Sequence, residues 1–374
     1  MKALILAGGF GTRLRPLTCT RSKLVFPIAN RPILDLTLKR LAANGVEEVI
    51  LAVNFMADAL ERAYAKSKYG VKIHYSIDAP PKRETPRAPQ RALGTGGPVK
   101  QAEKLLGSKA PFFVLNGDIL TTAHYSEIMK EHRRNKGIGT IALHKVEDPS
   151  RYGVVELAGK NRIARFVEKP SKNAPSNLAN AGIYVFEPDI FDYIPAGRRC
   201  SIEREVFPKL ANRNGLFGHE IKGLWIDVGK PEDYIKANRM WLEAKKAKAT
   251  LSRTAMIRKR ARIKEAVAID KNVVVGEGSV IGPNVSLGKK VSVGKGVHIV
   301  DSIIFPYTTI SDDAIVKGAI IGESVSIGEK AKVGKGCLIG DNVIIQDDIA
   351  LAQNVKVCPW KVVSEDVLTP GTIM

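Results

Sequence analysis

VVVGEGSVIGPNVSLGKKVSVGKG, residues 273–296, repeats itself every six positions. An aliphatic followed by glycine recurs at Val275-Gly276, Ile281-Gly282, Leu287-Gly288 and Val293-Gly294, then at Ile321-Gly322, Ile327-Gly328, Val333-Gly334 and Ile339-Gly340. Four positions after each aliphatic comes a small or β-branched residue: Ser279, Val285, Val291 and Val297, then Val325, Ala331, Cys337 and Val343. Such a hexad makes one short face of a parallel β-helix, with the aliphatic inside and the small residue at the corner. Ordinary hairpins would instead alternate and turn on two residues. Gly294 and Gly322 are 28 residues apart, not a multiple of six, which predicts a loop or irregular coil around residues 301–317.

Upstream of this repeat the period changes. The runs LILA, EVILAV, VKIHYS, FFVLNGD and TIALHKV read as strands, and amphipathic stretches near residues 34–44, 99–106 and 125–135 read as helices between them. Such alternation predicts an α/β domain with a mostly parallel sheet, whose ligands sit at the carboxyl ends of the strands. The reading is a catalytic domain over residues 1–244, a basic linker over 245–264 and a hexapeptide-repeat domain over 265–374. The linker is the densest basic run of the chain, AKKAKATLSRTAMIRKRARIK, and it lacks interleaved aromatics. That composition suits a solvated connector better than a nucleic-acid surface.

A chain of 374 residues exceeds one hydrophobic core, and 44% hydrophobic residues is an ordinary globular share. No run reaches the ~20 apolar residues of a membrane span. MKALILAGG runs straight into a glycine-rich turn and reads as a buried strand rather than a leader. Cys19, Cys200, Cys337 and Cys358 form no CxxC pair, so a zinc site and a disulfide framework are both disfavoured and a reducing cytoplasm is expected. A net charge of +20 fits nucleic acid, an anionic membrane surface or phosphorylated small molecules, and charge alone does not choose among them.

LAGGFGTRLRPLT, residues 6–18, follows a strand and sets three glycines in four positions beside Arg13 and Arg15. Glycine lets backbone N–H groups approach an anion, so the turn reads as a phosphate site or as a structural tight turn. It is no P-loop, since GK[ST] is missing, and Leu14 stands where a dinucleotide fingerprint would place its last glycine.

GGFGTRLRPLT followed by SKLVFPIANRP resembles the signature of nucleoside-diphosphate-sugar pyrophosphorylases. The likeness continues through LGTGGP (93–98), VLNGD (114–118), YGVVE (152–156), FVEKP (166–170), NAGIYVFEP (180–188), SIEREVFP (201–208) and WIDVGKPEDY (225–234). With VCPWKVV and PGTIM at the end of the chain, the pattern is most similar to mannose-1-phosphate guanylyltransferases. The resemblance implies a Rossmann-like nucleotidyltransferase domain followed by a left-handed parallel β-helix. It also implies a reaction in which a sugar phosphate attacks the α-phosphorus of a nucleoside triphosphate, preferably GTP with mannose 1-phosphate, and pyrophosphate leaves.

By the same resemblance, Arg13 holds the β- and γ-phosphates and Lys23 lies against the transferring phosphate. Ser22 replaces the proline that precedes this lysine in the family pattern, which would loosen the local backbone. Leu6, Gly8, Gly9, Gly11, Thr12 and Gly94 bind nucleotide. Asp118 and Asp227 hold Mg²⁺, a cation that favours hard oxygen ligands and bridges phosphates. Glu168 serves the sugar hydroxyls and Lys169 the sugar phosphate, with Asn180 and Gly153 completing that pocket. Trp225 either packs against substrate or fills core. For the base, Arg91 could donate to guanine O6 and N7, or could serve another base.

Three other readings stand beside this one: a thymidylyl- or uridylyltransferase for glucose 1-phosphate, a non-catalytic subunit that senses nucleotide sugars, and an acyltransferase using His298. The β-helix, with repetitive flat outer faces, is expected to build a homo-oligomer. No nucleic-acid or membrane partner is expected.

Overall fold

The computed structural model describes residues 1–53, 56–77, 93–171, 173–244 and 249–374. They divide into two compact units: residues 1–10 with 34–225, and residues 11–33 with 226–374.

The first unit is built on a ten-stranded sheet. Strand Lys2–Leu6 lies between Phe112–Asn116 and Glu48–Val53, parallel to both, and Glu48–Val53 pairs in parallel with Val71–Ile77. This half of the sheet has the parallel order expected from the alternation of strands and helices. In the other half, Leu178–Phe186 runs antiparallel to both Phe112–Asn116 and Gly139–Lys145, and Gly153–Ala158 runs antiparallel to Arg162–Glu168. The near-continuous apolar runs of the central strands follow from their position, since EVILAV and FFVLN bury almost every side chain. Helix Tyr125–Asn135 shows the complementary pattern: Tyr125, Ile128, Met129 and His132 form its buried stripe at helical spacing, and its charged residues face out.

In the second unit, residues 249–373 form three stacked parallel sheets of eight, seven and six short strands, the three faces of a β-helix. The hexad aliphatics line its interior, where Val275, Ile281, Leu287, Val293, Ile310, Ile327 and Ile345 join one hydrophobic cluster. The loop expected around residues 301–317 is absent. Two hexads are instead shortened to five, from Ile299 to Ile304 and from Val316 to Ile321, while the parallel pairing runs on unbroken. Two deletions of one residue account for the break in register.

The basic stretch read as a linker is corrected in the same way. Residues 245–248 lie outside the described residues, but Ala249–Leu251, Met256–Ile257 and Arg262–Ile263 begin the three sheets. Ala249, Ala255 and Ala261 keep the six-residue step and pack on the β-helix core, while the Arg and Lys residues point outward. Four cysteines are free thiols, and among the described residues no helix is long and apolar enough to cross a membrane.

Ile310 is fully buried in the stack. Truncation by Ile310→Ala is expected to cost about 2–5 kcal/mol through lost transfer energy and the cavity left behind. Urea unfolding followed by circular dichroism measures this, and a loss below about 1 kcal/mol would contradict a close-packed interior.

Candidate active site

The first unit places four of the sugar-phosphate candidates at neighbouring strand ends. Gly153 pairs with Glu168 across two antiparallel strands, and Lys169 follows directly. Asn180 lies on the adjoining strand, in which Ala179 pairs with Val154. Gly153 is required here, because a Cβ would lie 2.5 Å from the Phe166 ring and 2.7 Å from a Glu168 carboxylate oxygen. The missing side chain is thus filled by Glu168 itself. Asn180 is oriented from both ends: its amide donates to the Tyr184 hydroxyl at 2.9 Å and its carbonyl accepts the Gly182 N–H at 2.9 Å.

Asp118 enters the same neighbourhood from the parallel half of the sheet. It follows strand Phe112–Asn116, whose last residue pairs with Leu6, so Asp118 and Gly8 each stand two residues beyond adjacent strand ends. The fully buried Tyr184 reports the grouping. Burial first, then the charge of Glu203, with Glu168 and Asp118 adding, hold its phenol well above the ordinary value. One tyrosine therefore senses three carboxylates.

The Glu168 carboxyl is itself raised, chiefly by burial and then by Glu203, against the lowering effects of Lys169 and Arg204. Lys169 approaches it at 3.7 Å and keeps 60% of its side chain exposed. Glu203 had no assigned role in the sequence reading. Its carboxylate accepts hydrogen bonds from Thr95 at 2.6 Å and Ser201 at 2.7 Å. The available signal was the SIEREVFP block, which forms one π-helical turn over Ile202–Val206, a distortion often found at functional sites.

Gly94 serves the packing around this block. A Cβ there would lie 2.3 Å from the Cys200 carbonyl oxygen, and its φ of +76° is a conformation that side chains disfavour. Trp225 resolves toward the core alternative: it is 7% exposed, donates to the Ala181 carbonyl at 2.9 Å and meets the rings of His144 and Tyr152.

The second unit holds Gly11, Thr12, Arg13, Lys23 and Asp227. Arg13 Nη2 and Asp227 Oδ1 both lie 3.2 Å from the point that a Gly229 Cβ would occupy, so guanidinium and carboxylate flank one glycine. Lys23 opens a short 3₁₀ turn, Lys23–Val25. Ser22 takes φ −65°, the angle a proline would impose, and its hydroxyl accepts the Leu24 N–H. The serine thus reproduces the proline geometry and adds a cap.

Residues 20–30 are bonded repeatedly to the helix Pro231–Ala244 and to the β-helix. Arg21 donates to Asp341 at 2.5 Å and to Glu323 at 2.7 Å, and its guanidinium stacks 5.3 Å from the Phe305 ring centroid. Asp341 also accepts from the Thr20 hydroxyl at 2.5 Å and the Glu323 N–H at 2.8 Å. Burial opposes the Arg21 charge, yet Asp341 and Glu323 more than offset it and raise its pKa. Further along, the Pro27 carbonyl accepts from the Tyr234 hydroxyl, Ala29 N–H donates to Asn238, and the Asn30 amide donates to the Ala268 carbonyl.

A nucleotidyl transferase family model matches residues 2–244, and a model of the GMPPB C-terminal domain matches residues 247–373. The chain belongs to the nucleotidyl transferase family. Similar curated proteins include a mannose-1-phosphate guanyltransferase of Yarrowia lipolytica, 41% identical over 65% of this chain and 65% of that protein. A mannose-1-phosphate guanylyltransferase catalytic subunit beta of Danio rerio is 42% identical over 67% of each chain. The match to the Yarrowia protein therefore spans just under two thirds of that relative's length. A solved structure from Bacillus anthracis, described as a glucose-1-phosphate thymidylyltransferase in complex with a sucrose, shares the fold. It aligns with TM-score 0.56 and 24% identity over 64% of this chain and 94% of its own.

Within this nucleotidyl transferase, the candidate Arg91 lies outside the described residues. His298 is exposed at the start of strand His298–Val300, far in character from a buried catalytic base.

Two measurements test this arrangement. Arg21→Met leaves Asp341, whose side chain is only 4% exposed, without its cation, and is expected to cost about 3–5 kcal/mol. Adding Asp341→Asn should recover part of that loss, and equal stability of the single and double variants would show that the pair is not coupled. For Glu168, a folded pKa above the unfolded value means that its stability contribution is present below about pH 4.5 and is lost as pH rises through the folded value. Glu168→Gln, neutral throughout, should gain stability relative to the parent between about pH 4 and pH 7. A difference independent of pH would mean that burial does not penalise this carboxylate.

Proposed function

We propose that the protein is a sugar-1-phosphate nucleotidyltransferase that joins GTP to mannose 1-phosphate, giving GDP-mannose and pyrophosphate. The observation that carries the reading is the grouping of Asp118, Glu168 and Asn180 about Tyr184, beside the carboxyl end of the strand that feeds the glycine-rich turn. The choice of guanine and mannose is supported by relatives at 41–42% identity that bear those substrates in their names, and by the match to the GMPPB C-terminal domain.

In this reading the phosphate oxygen of the sugar phosphate attacks the α-phosphorus, and the bond to the β-phosphate oxygen breaks. No covalent enzyme intermediate is needed, so the protein's task is positioning and charge neutralisation. Lys23 faces the transferring phosphate, and Arg13 with the turn of Leu6, Gly8, Gly9, Gly11 and Thr12 takes the departing pyrophosphate. Gly94 belongs to the nucleotide side, and Arg91 contacts the base. Glu168 orders the hexose hydroxyls together with Asn180 and the backbone at Gly153, and Lys169 neutralises the sugar phosphate.

Asp118 and Asp227 are the protein ligands proposed for Mg²⁺. Their hard oxygens fit such a cation, and two carboxylates suffice where substrate phosphates complete the coordination. Among the described residues no cluster of three or more His, Cys, Asp or Glu suggests a self-contained metal centre. When bound, magnesium supplies charge neutralisation of the phosphates. We assign the protein to the cytoplasm, in keeping with its four free cysteines, and propose that the β-helix joins copies of the chain into a homo-oligomer.

Crossing GTP, dTTP and UTP with mannose 1-phosphate and glucose 1-phosphate, with pyrophosphate release as the readout, tests the assignment. GTP with mannose 1-phosphate should turn over fastest, and a clear preference for dTTP or UTP with glucose 1-phosphate overturns it. Asp118→Asn and Asp227→Asn should each lower kcat by roughly 10²- to 10³-fold, the scale of removing one preorganised electrostatic group, with unchanged circular dichroism.

A further inference from the structure

The proposed reaction does not account for a second concentration of positive charge in the unit that carries the β-helix. A cavity of about 1050 Å³ is bounded by the helix Pro231–Ala244 and by successive coils of the β-helix, and Arg13 reaches its edge. Its lining contributes six cations, Arg13, Lys236, Arg239, Lys317, Lys335 and Lys356, and only two carboxylates, Glu232 and Asp301.

The coil geometry concentrates this charge. Gly336 N–H donates to the Gly318 carbonyl at 2.8 Å and Val316 pairs with Val333, so Lys335 lies opposite Gly318 and Lys317 stands one position earlier on the adjacent rung. Rungs of a parallel sheet lie about 4.8 Å apart, so the two lysines are diagonal neighbours of like charge. The Lys335 stem lies across Gly318, its Cγ 2.9 Å from where a Cβ would stand, and this closes the corner under the cavity. On the facing helix, Lys236 and Arg239 are three residues apart and share one face.

Neither lining carboxylate is ion-paired with a lysine of the cavity, although the charge of Asp301 acts on Arg239. Asp301 accepts from the Asn284 amide at 2.7 Å, and Glu232 sits 3.8 Å from Lys230. Arg239 shares Glu243 at 2.9 Å. Among the described residues, Lys236, Lys317, Lys335 and Lys356 have no carboxylate within 4.0 Å. Four lysines thus converge on one concavity without an ion-pair partner of their own, an arrangement that folding alone does not reward.

We propose that this cavity is a second anion site, extending beyond the reaction centre and sharing only Arg13 with it, that binds a diphosphate group. A diphosphate matches the pattern because its two phosphates can span neighbouring rungs, with Lys317 and Lys335 on one side and Lys236 and Arg239 on the other. The volume is at the upper end of ordinary small-molecule pockets, so it holds free pyrophosphate or a diphosphate ester such as a nucleoside diphosphate. The site goes beyond the proposed reaction and does not depend on its substrate assignment.

Equilibrium dialysis of the full chain with inorganic pyrophosphate, and in a parallel arm with GDP, at about 0.15 M salt counts the sites. Two sites per chain are expected in the parent. One is expected in the Lys317→Glu/Lys335→Glu variant, with turnover at saturating substrates unchanged. Loss in the pyrophosphate arm alone assigns the site to free diphosphate, and loss in both arms assigns it to the shared diphosphate group. The milder Lys317→Gln/Lys335→Gln variant, which changes only exposed side chains, should weaken the second site at least tenfold. Equal stoichiometry and affinity in parent and variants overturn the proposal, as does a single site in the parent. Failure of the proposed reaction would register separately, as absent turnover in a parent that still binds two anions.

Discussion

The largely buried ion pair between Arg21 and Asp341 joins two segments that are 320 residues apart and ties the loop before Lys23 to a coil of the β-helix. Asp341 alone would be an expensive group in a β-helix corner. It is tolerated because its oxygens are saturated by Arg21, the Thr20 hydroxyl and the Glu323 N–H. The arrangement determines where residues 20–30 lie, and Lys23 is two residues from its anchor. A lysine on an unsupported loop would lose much of its value as a fixed charge, since ordering a backbone residue costs about 1–2 kcal/mol. The bonds to Asp341, Glu323, Asn238, Tyr234 and Ala268 offset that cost within the folded chain.

The β-helix is suited to act as such a foundation. Each coil pairs with its neighbours through parallel backbone hydrogen bonds, and its interior is filled by one aliphatic per face. A site gains precision when its supports are rigid elements rather than other loops. The residues most exposed to this logic are Phe26, packed against Phe305 and Tyr234, and Ala29, bonded to Asn238, which also accepts from Ser286. The family signature is therefore divided by its packing: its first glycines follow the sheet of the first unit, and its arginine and lysine fold with the β-helix.

Periodic and local features were legible in the sequence, and long-range pairings were not. The hexads announced the β-helix because each face needs an aliphatic inside, but a five-residue face between Ile299 and Ile304 carries no composition signal of its own. The first coil escaped notice because Ala255 and Ala261 are small and are surrounded by Arg and Lys, so charge concealed the six-residue step. Glu168, Asn180 and Asp118 could be singled out from motifs at strand ends, whereas Glu203 could not be given a role. Its partners, Thr95 and Ser201, come together only when the helix beginning at Gly96 meets the π turn. Arg21 likewise reads as one more basic residue in a basic chain until Asp341 is seen beside it.

The same physical chemistry gives the excess positive charge two distinct uses. Arg21 is desolvated, paired and structural, and its charge is spent on holding the fold together. Lys317 and Lys335 are exposed and lie diagonally on adjacent rungs, where they contribute repulsion rather than cohesion. A chain at +20 could have acquired either kind by drift in composition, but only the second kind leaves charge available to an incoming anion. The coiling that makes the β-helix stiff also brings Lys317 and Lys335 onto neighbouring rungs. Stiffness and the clustering of these charges are therefore consequences of one coiled architecture, and an anion site there requires no element beyond those that already support residues 20–30.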